Sequence, residues 1–251
     1  MALPSEIAVY VATHNQQVLN LQDFEIPIQT GAALSPDILA PLRDDLQTNI
    51  SARNRTFCEL TALYWIWKND THPITGLSHY RRRFQTSSVD IVRRLKSCDL
   101  LIPPPYYFRM TLRKEYEKYH MKEDLDLLID ITCSMDPEIK DPLFHILNNN
   151  MLIPYNMMIA PKKLFDDYCQ WLFPILFTIE KRITMEQRSP YQQRVFGFMA
   201  ERLFTVYVYR NNLNFAVCPT AIPETDTLFG KAKYIGGSIF NELYFKWMKR
   251  I

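Results

Sequence analysis

Apolar and polar residues alternate in short runs along this chain, and the period of the runs switches between that of a strand and that of a helix. From Glu6 to Thr13, Ile7, Val9 and Val11 alternate with Ala8, Tyr10 and Ala12, which predicts a first strand ending at the turn-like His14-Asn15. The region up to about Thr48 reads as loop-rich, because Gly31, Pro36 and Pro41 oppose long elements. Ser51 is placed to cap a helix that runs to about Lys68, with Asn69 suited to end it. Its Phe57, Leu60, Leu63, Tyr64, Trp65, Ile66 and Trp67 cover nearly the whole circumference, so more than one layer must bury it. After Pro73, Ile74 to Ser78 reads as a fully buried strand; a helix near Val89 to Ser97 follows, then a strand from Cys98 to Ile102, closed by three prolines. Strand, helix, strand at this spacing indicates a parallel α/β sheet. Leu112 to about Cys133 turns helical and charged, Leu152 to Ala160 returns to a strand, and Lys162 to about Ile183 and Tyr191 to Tyr207 are helical. There is no internal repeat.

The first candidate chemistry lies where the third of these patterns ends. The Ile74 strand runs directly into His79-Tyr80-Arg81-Arg82-Arg83, at the carboxyl end of the strand, where open α/β sheets bind ligands. A guanidinium stays charged and presents a planar fork that matches two phosphate or carboxylate oxygens. If the strand geometry persists, His79, Arg81 and Arg83 share one face, and Tyr80, Arg82 and Phe84 the other. One set then meets an anionic ligand while the other packs. The alternative is a solvated basic strand end whose arginines pair with neighbouring carboxylates.

Composition narrows the class. With 251 residues, 47% apolar and 22% charged, the chain can bury a sizeable core as one domain spanning residues 1–251. The net charge of +2 gives no global field for nucleic acid, so an anion site has to come from local clustering. Five dispersed cysteines without metal-ligand spacing suit free thiols in the cytoplasm. The apolar run Ile7 to Ala12 is too short for a signal peptide, and Trp171 to Ile179, interrupted by Pro174, is too short for a membrane span. The tail from Tyr234 to Ile251 mixes aromatics with Lys246, Lys249 and Arg250; it reads either as a terminal helix docked on the core or as a peripheral contact with the inner face of an anionic membrane.

Four segments, Asn54–Asn69, Thr75–Phe84, Tyr155–Ile159 and Arg194–Leu203, resemble in their order a bacterial capsule and exopolysaccharide glycosyltransferase family long catalogued only as a domain of unknown function. The resemblance covers nearly the whole chain. It implies a GT-A-like, Rossmann-like fold: a mostly parallel central sheet flanked by helices, with residues 1–110 as the nucleotide-binding half and 111–251 as a helical, acceptor-side half. The implied activity is transfer of a sugar, with inversion, from a nucleotide-diphosphate donor. That donor would be a UDP-sugar, UDP-galactofuranose among those implied. The acceptor would be a growing, lipid-linked surface glycan such as capsule, O-antigen or exopolysaccharide.

The residues can be assigned on that basis. A sugar transferase must hold a pyrophosphate and stabilise the charge that grows on it as the glycosidic bond breaks. Many GT-A enzymes use a divalent metal on an Asp-x-Asp for this. Here Asp124 and Asp126 have the spacing but lie in a helical stretch, and Asp99 sits at the wrong end of a strand. The expectation is therefore that His79, Tyr80, Arg81 and Arg82 take the metal's place and no cofactor is required; a carboxylate recruited from elsewhere, such as Asp124, would be the route for Mn²⁺ or Mg²⁺. For the base that accepts the acceptor's proton, Glu201 comes first, on one helical stripe with Arg194 and Phe198; its alternative is an ion pair with Arg202 or Arg194 that only anchors the helix. His120 and Asp124, four apart on one helix, form the second pair. Thr13, His14 and Asn15 stand where GT-A folds bind the nucleotide. Asn54 and Glu59, like Thr61, are polar positions in an apolar helix and need partners, from the ligand or from neighbouring backbone. Asn156, at a strand centre, resembles an acceptor-side asparagine, and Arg194 and Arg202 complete the substrate-binding set. A non-catalytic module that binds an anionic glycan or a nucleotide through the same arginines is the competing class.

Overall fold

The computed structural model describes residues 6–15, 20–221, 240, 241, 243 and 246. Its centre is a seven-stranded sheet built from β1 (Ile7–Thr13), β2 (Glu25–Gln29), β3 (Leu42–Arg43), β4 (Ile74–His79), β5 (Leu100–Ile102), β8 (Met158–Pro161) and β9 (Phe215–Val217). The order across the sheet is β3-β2-β1-β4-β8-β5-β9. All neighbours are parallel except at β8, which runs antiparallel to both β4 and β5. The fold is thus the mostly parallel, helix-flanked sheet expected, with β8 inserted between the two strands that the sequence pattern links by one helix. A small second sheet joins β6 (Tyr106–Tyr107) to β7 (Met151–Leu152).

Every residue of β1 is buried, and its alternation sorts the core. Ala8, Tyr10 and Ala12 face the large apolar cluster with Leu77, Leu100, Ile102 and Met158, while Ile7 and Val9 join Leu101, Ile159 and Ile91 on the opposite face. The large cluster is formed with α2 (Leu60–Asn69), α4 (Leu112–Tyr119), α5 (Lys122–Met135), α6 (Lys140–Leu147), α7 (Lys162–Glu180) and α8 (Val195–Arg210), and the small one with α3 (Ser88–Arg94). The apolar circumference of α2 finds its reason here. Ala62, Leu63 and Ile66 are fully buried, while Tyr64 and Trp67 pack on Phe173 of α7 at ring separations of 5.0 and 5.6 Å. Asn69 ends α2, its amide donating to the Trp65 carbonyl at 2.8 Å.

Several boundaries depart from the sequence pattern. The region before Thr48 holds β2 and β3. Ser51 is no helix cap; its hydroxyl donates to Asp44 at 2.5 Å, and Asp44 also accepts the Gly31 and Ala32 N–H groups. The helix expected from Ser51 to Lys68 is broken into a 3₁₀ turn, a short α1 (Asn54–Phe57) and α2, because Cys58 takes φ 51°, ψ −131°. Leu152 to Ala160 is not one strand: β7 and β8 belong to different sheets, separated by Tyr155 and Asn156 at φ 71° and 53°. The tail from Tyr234 onward lies outside the described residues except for Phe240, Asn241, Leu243 and Lys246. Among the described residues, no helix is long and apolar enough to cross a membrane.

Candidate functional site

An open cleft of about 850 Å³ lies at the carboxyl ends of β1 and β4. β1 delivers His14. β4 stops at His79, whose N–H and C=O both bond to Arg82, so Tyr80 and Arg81 form the tip of a tight turn. That turn ends the strand alternation. Arg81 and Arg82 both line the cleft rather than pointing to opposite faces, and Arg83 leaves it to pair with Glu25 at 2.8 Å and the Asn20 carbonyl at 2.6 Å. α1 contributes Asn54 and Arg55, the break after it Cys58 and Glu59, and the 3₁₀ turn Gln192–Arg194 before α8 brings Gln193 and Arg194.

Four arginines, Arg55, Arg81, Arg82 and Arg194, therefore converge on one cavity. Among the described residues none of them forms an ion pair with a carboxylate, in contrast to Arg43, Arg83, Arg188 and Arg202. Three of the guanidiniums lie against rings or sulfur instead: Arg82 stands 4.4 Å from the Tyr155 ring centre, Arg81 5.2 Å from Tyr80, and Arg194 donates to Cys58 Sγ at 3.4 Å. Among the described residues, the only acidic side chain lining the cleft is Glu59. The positive field is felt by both histidines. Burial, then Arg81 and Arg194, holds His14 below its ordinary pKa, and burial, with Arg82 against the opposing pull of Glu59, lowers His79. Both rings are thus neutral near pH 7, and the buried Nε2 of His79 has no hydrogen-bond partner among the described residues. Burial pushes the Cys58 thiol up to about 12, so it is not a thiolate at neutral pH.

The remaining sequence candidates divide between the cleft and the core. Tyr80 lies beside His14 and accepts a 3.1 Å hydrogen bond from Asn15, whereas the Thr13 hydroxyl is occupied by the Asn15 carbonyl at 2.9 Å. Asn54 lines the cleft while its amide donates to the Cys58 carbonyl at 2.8 Å and to Thr61 at 3.0 Å, tying down the helix break. Gly31, at φ 66°, leaves the space for it, since a Cβ there would stand 2.7 Å from the Asn54 side chain. Asn156 sits in a left-handed turn, not at a strand centre, and donates to Glu59 at 2.6 Å. His120 and Asp124 do not share a helix. His120 caps the end of α4, stacked on Tyr191, and Asp124 in the first turn of α5 is held by both arms of Arg188 at 2.6 and 2.8 Å. Arg202 is 2% exposed and paired with Glu115 and, at 3.3 Å, with Glu201, so it lies in the core and does not line the cleft. Glu201 forms its ion pair with Arg202 rather than Arg194, and its carboxylate accepts the Tyr155 N–H at 2.6 Å. Arg55, Gln193, Pro190 and Thr30 also line the cleft without having been expected there.

The sequence profile of the family described as "Domain of unknown function (DUF4422)" matches residues 8–212. The chain belongs to the DUF4422 family. This member is similar in fold to the apo structure of WbbM, a bifunctional glycosyltransferase, with a TM-score of 0.82 and 24% sequence identity over 88% of this chain. The DUF4422 chain spans 46% of that protein's length. No curated protein matches it in sequence. The family match takes in every segment that forms the cleft, from β1 to α8, and the fold likeness extends to the same GT-A-like sheet.

Proposed function

We propose that the protein is a glycosyltransferase that binds a nucleotide-diphosphate sugar in the cleft at the carboxyl ends of β1 and β4 and transfers the sugar, with inversion, to a growing bacterial surface glycan. The observation that carries this reading is the convergence of four guanidiniums, from three separate segments, with no carboxylate partner among the described residues. Concentrating that charge in a folded protein is unfavourable unless an anion offsets it, and the forked guanidinium suits the paired oxygens of a diphosphate. The arginines would hold the pyrophosphate and stabilise the charge it acquires as the glycosidic bond breaks. His14 and Tyr80, at the end of β1 and the tip of the β4 turn, would meet the nucleoside. A UDP-sugar is the proposed donor, with UDP-galactofuranose the specific candidate, and a lipid-linked glycan at the cytoplasmic membrane face the proposed acceptor.

The cleft side chains do not fit the divalent cation of many GT-A enzymes. They offer one carboxylate, Glu59, amid four guanidiniums, and among the described residues no group of three or more His, Cys, Asp or Glu has the geometry to hold a metal. Transfer is accordingly proposed to run without Mn²⁺ or Mg²⁺. The test is release of UDP from UDP-sugars by the purified protein, with excess EDTA and with added Mn²⁺. Release that survives EDTA supports the reading. Loss of all activity in EDTA, restored by Mn²⁺, removes the metal-independent part. UDP binding without any release, with or without a glycan acceptor, makes the protein a binding module.

A further inference from the structure

Glu59 stands in the cleft through two reversals of the backbone and one buried side chain that ordinary helix and strand formation would not produce. The first is the break at Cys58. Its φ 51°, ψ −131° is a conformation that residues with a Cβ rarely adopt, yet the residue is not glycine and the sequence around it is helix-forming. Had the helix continued, Glu59 would be one more position on its apolar surface; with the break it becomes the first residue before α2, at the helix end that favours a carboxylate. The second is the left-handed pair Tyr155-Asn156, again without glycine. Glu201 fixes this pair by accepting the Tyr155 N–H at 2.6 Å. The third is the aim of Asn156. It is 2% exposed, and its amide donates to Glu59 Oε1 at 2.6 Å and to the Gly197 carbonyl at 3.2 Å. Two strained turns from distant parts of the chain thus converge on one carboxylate. Among the described residues its second oxygen, Oε2, takes no hydrogen bond.

We infer that Glu59 is the base that takes the proton from the acceptor hydroxyl, with Asn156 and Glu201 as positioning residues. This rests on the transferase reading above. The acceptor O–H proton passes to Glu59 Oε2 while the acceptor oxygen bonds to the anomeric carbon. The bond from that carbon to the diphosphate breaks, its electron pair leaves with UDP toward the arginines, and Glu59 returns the proton to water. Glu59 is suited to this because, among the described residues, it is the only acidic group lining a cleft of cations, held by one oxygen with the other left for the substrate. Glu201, the first candidate from the sequence, has both oxygens engaged, one by the Tyr155 N–H and the other by Arg202 at 3.3 Å.

The test compares Glu59→Gln, Glu59→Asp and Glu201→Gln by UDP binding and by turnover across pH. Gln at position 59 keeps an oxygen for Asn156, so UDP affinity should be unchanged or tighter, while kcat falls about 10²–10⁴-fold, the usual worth of a positioned base. Asp, one methylene shorter, should lie between. The acid limb of the kcat profile should vanish in Glu59→Gln and persist in Glu201→Gln, whose rate should fall less than about tenfold because Gln can still accept the Tyr155 N–H. If Glu59→Gln binds UDP and retains both its rate and its acid limb, or if Glu59→Asp is as inactive as Gln while Glu201→Gln alone loses the limb, the inference is overturned. Wild-type protein that releases no UDP from any donor would instead remove the transferase reading itself.

Discussion

Replacing Arg81 or Arg82 by alanine removes one guanidinium from the cleft without stranding a buried partner, because among the described residues neither is paired with a carboxylate. The whole effect should therefore appear in ligand binding. A unit charge pair at 4 Å with an effective dielectric near 20 is worth about 4 kcal/mol, and the open side of the cleft lowers that figure. Hydrogen bonds to charged groups contribute about 1.5–3 kcal/mol, so about 2 kcal/mol per arginine, or roughly a 30-fold weaker UDP complex, is the working estimate. UMP, with one phosphate fewer, should lose less. Arg83 provides the control in the same tripeptide. Its guanidinium is engaged by Glu25, whose side chain is 1% exposed. Arg83→Ala should leave UDP affinity within about twofold and reduce stability by about 3–5 kcal/mol, since it leaves an uncompensated buried carboxylate. Titration calorimetry with UDP and UMP, together with denaturant melts, measures both. Wild-type UDP affinity in both Arg81→Ala and Arg82→Ala, or an equal loss in Arg83→Ala, would refute the assignment.

Two further outcomes concern the frame around the cleft. Gly76→Ala should destabilise by about 1–3 kcal/mol in a urea melt, at the upper end, because the new Cβ would stand 2.5 Å from the Met158 carbonyl of β8, a backbone atom that cannot swing aside; Gly197→Ala, with only ordinary contacts at 3.6 Å to Cys58, should be neutral or gain up to about 1 kcal/mol of helix propensity. Burial raises Glu201 to about 7 from an ordinary 4.5, so the folded state binds its proton more tightly than the unfolded one, and stability is lost as pH rises through that window, by up to ~3 kcal/mol. His120, held down at about 4 by burial and Arg202, works in the opposite sense as pH falls below 6.5. Melting temperatures from pH 5 to pH 8 should therefore fall less in Glu201→Gln than in the wild type, and an unchanged slope would contradict the burial assigned to that carboxylate.

What the sequence disclosed and what it withheld follow a physical line. The period-2 run of β1, the all-round apolar helix and the Ile74 strand ending in basic residues are signals set by burial, and burial is what residue type reports best. The backbone reversals carried no such signal. Nothing in Phe57-Cys58-Glu59 or Pro154-Tyr155-Asn156 supplies the glycine that normally marks a positive φ, so the helix was drawn through Cys58 and the strand through Asn156. The consequences fell on the site. Continuing the strand through the Tyr80-Arg81 turn put Arg81 and Arg82 on opposite faces, and continuing the helix hid Arg55 and made Glu59 one polar residue among several. β2 was missed because Gly31, Pro36 and Pro41 mark its region as loop; the strand even contains Pro27, which the structure tolerates because the ladder to β3 begins only at Ile28. Pairings across long separations, Asp124 with Arg188 and Arg202 with Glu115, turned two candidate site groups into structural ion pairs, and no local spacing foretells them.

The central claim is that the arginines at the end of β4 bind a nucleotide diphosphate, and a crystal structure of the protein grown with UDP tests it most directly. The account predicts both phosphates in the cleft, with oxygens about 3 Å from the guanidiniums of Arg81 and Arg82 and the nucleoside beside His14. A diphosphate bound elsewhere, for instance in the 560 Å³ cavity lined by Glu123, Asp124, Arg182 and Arg188, with the arginine cleft holding only solvent, would contradict it.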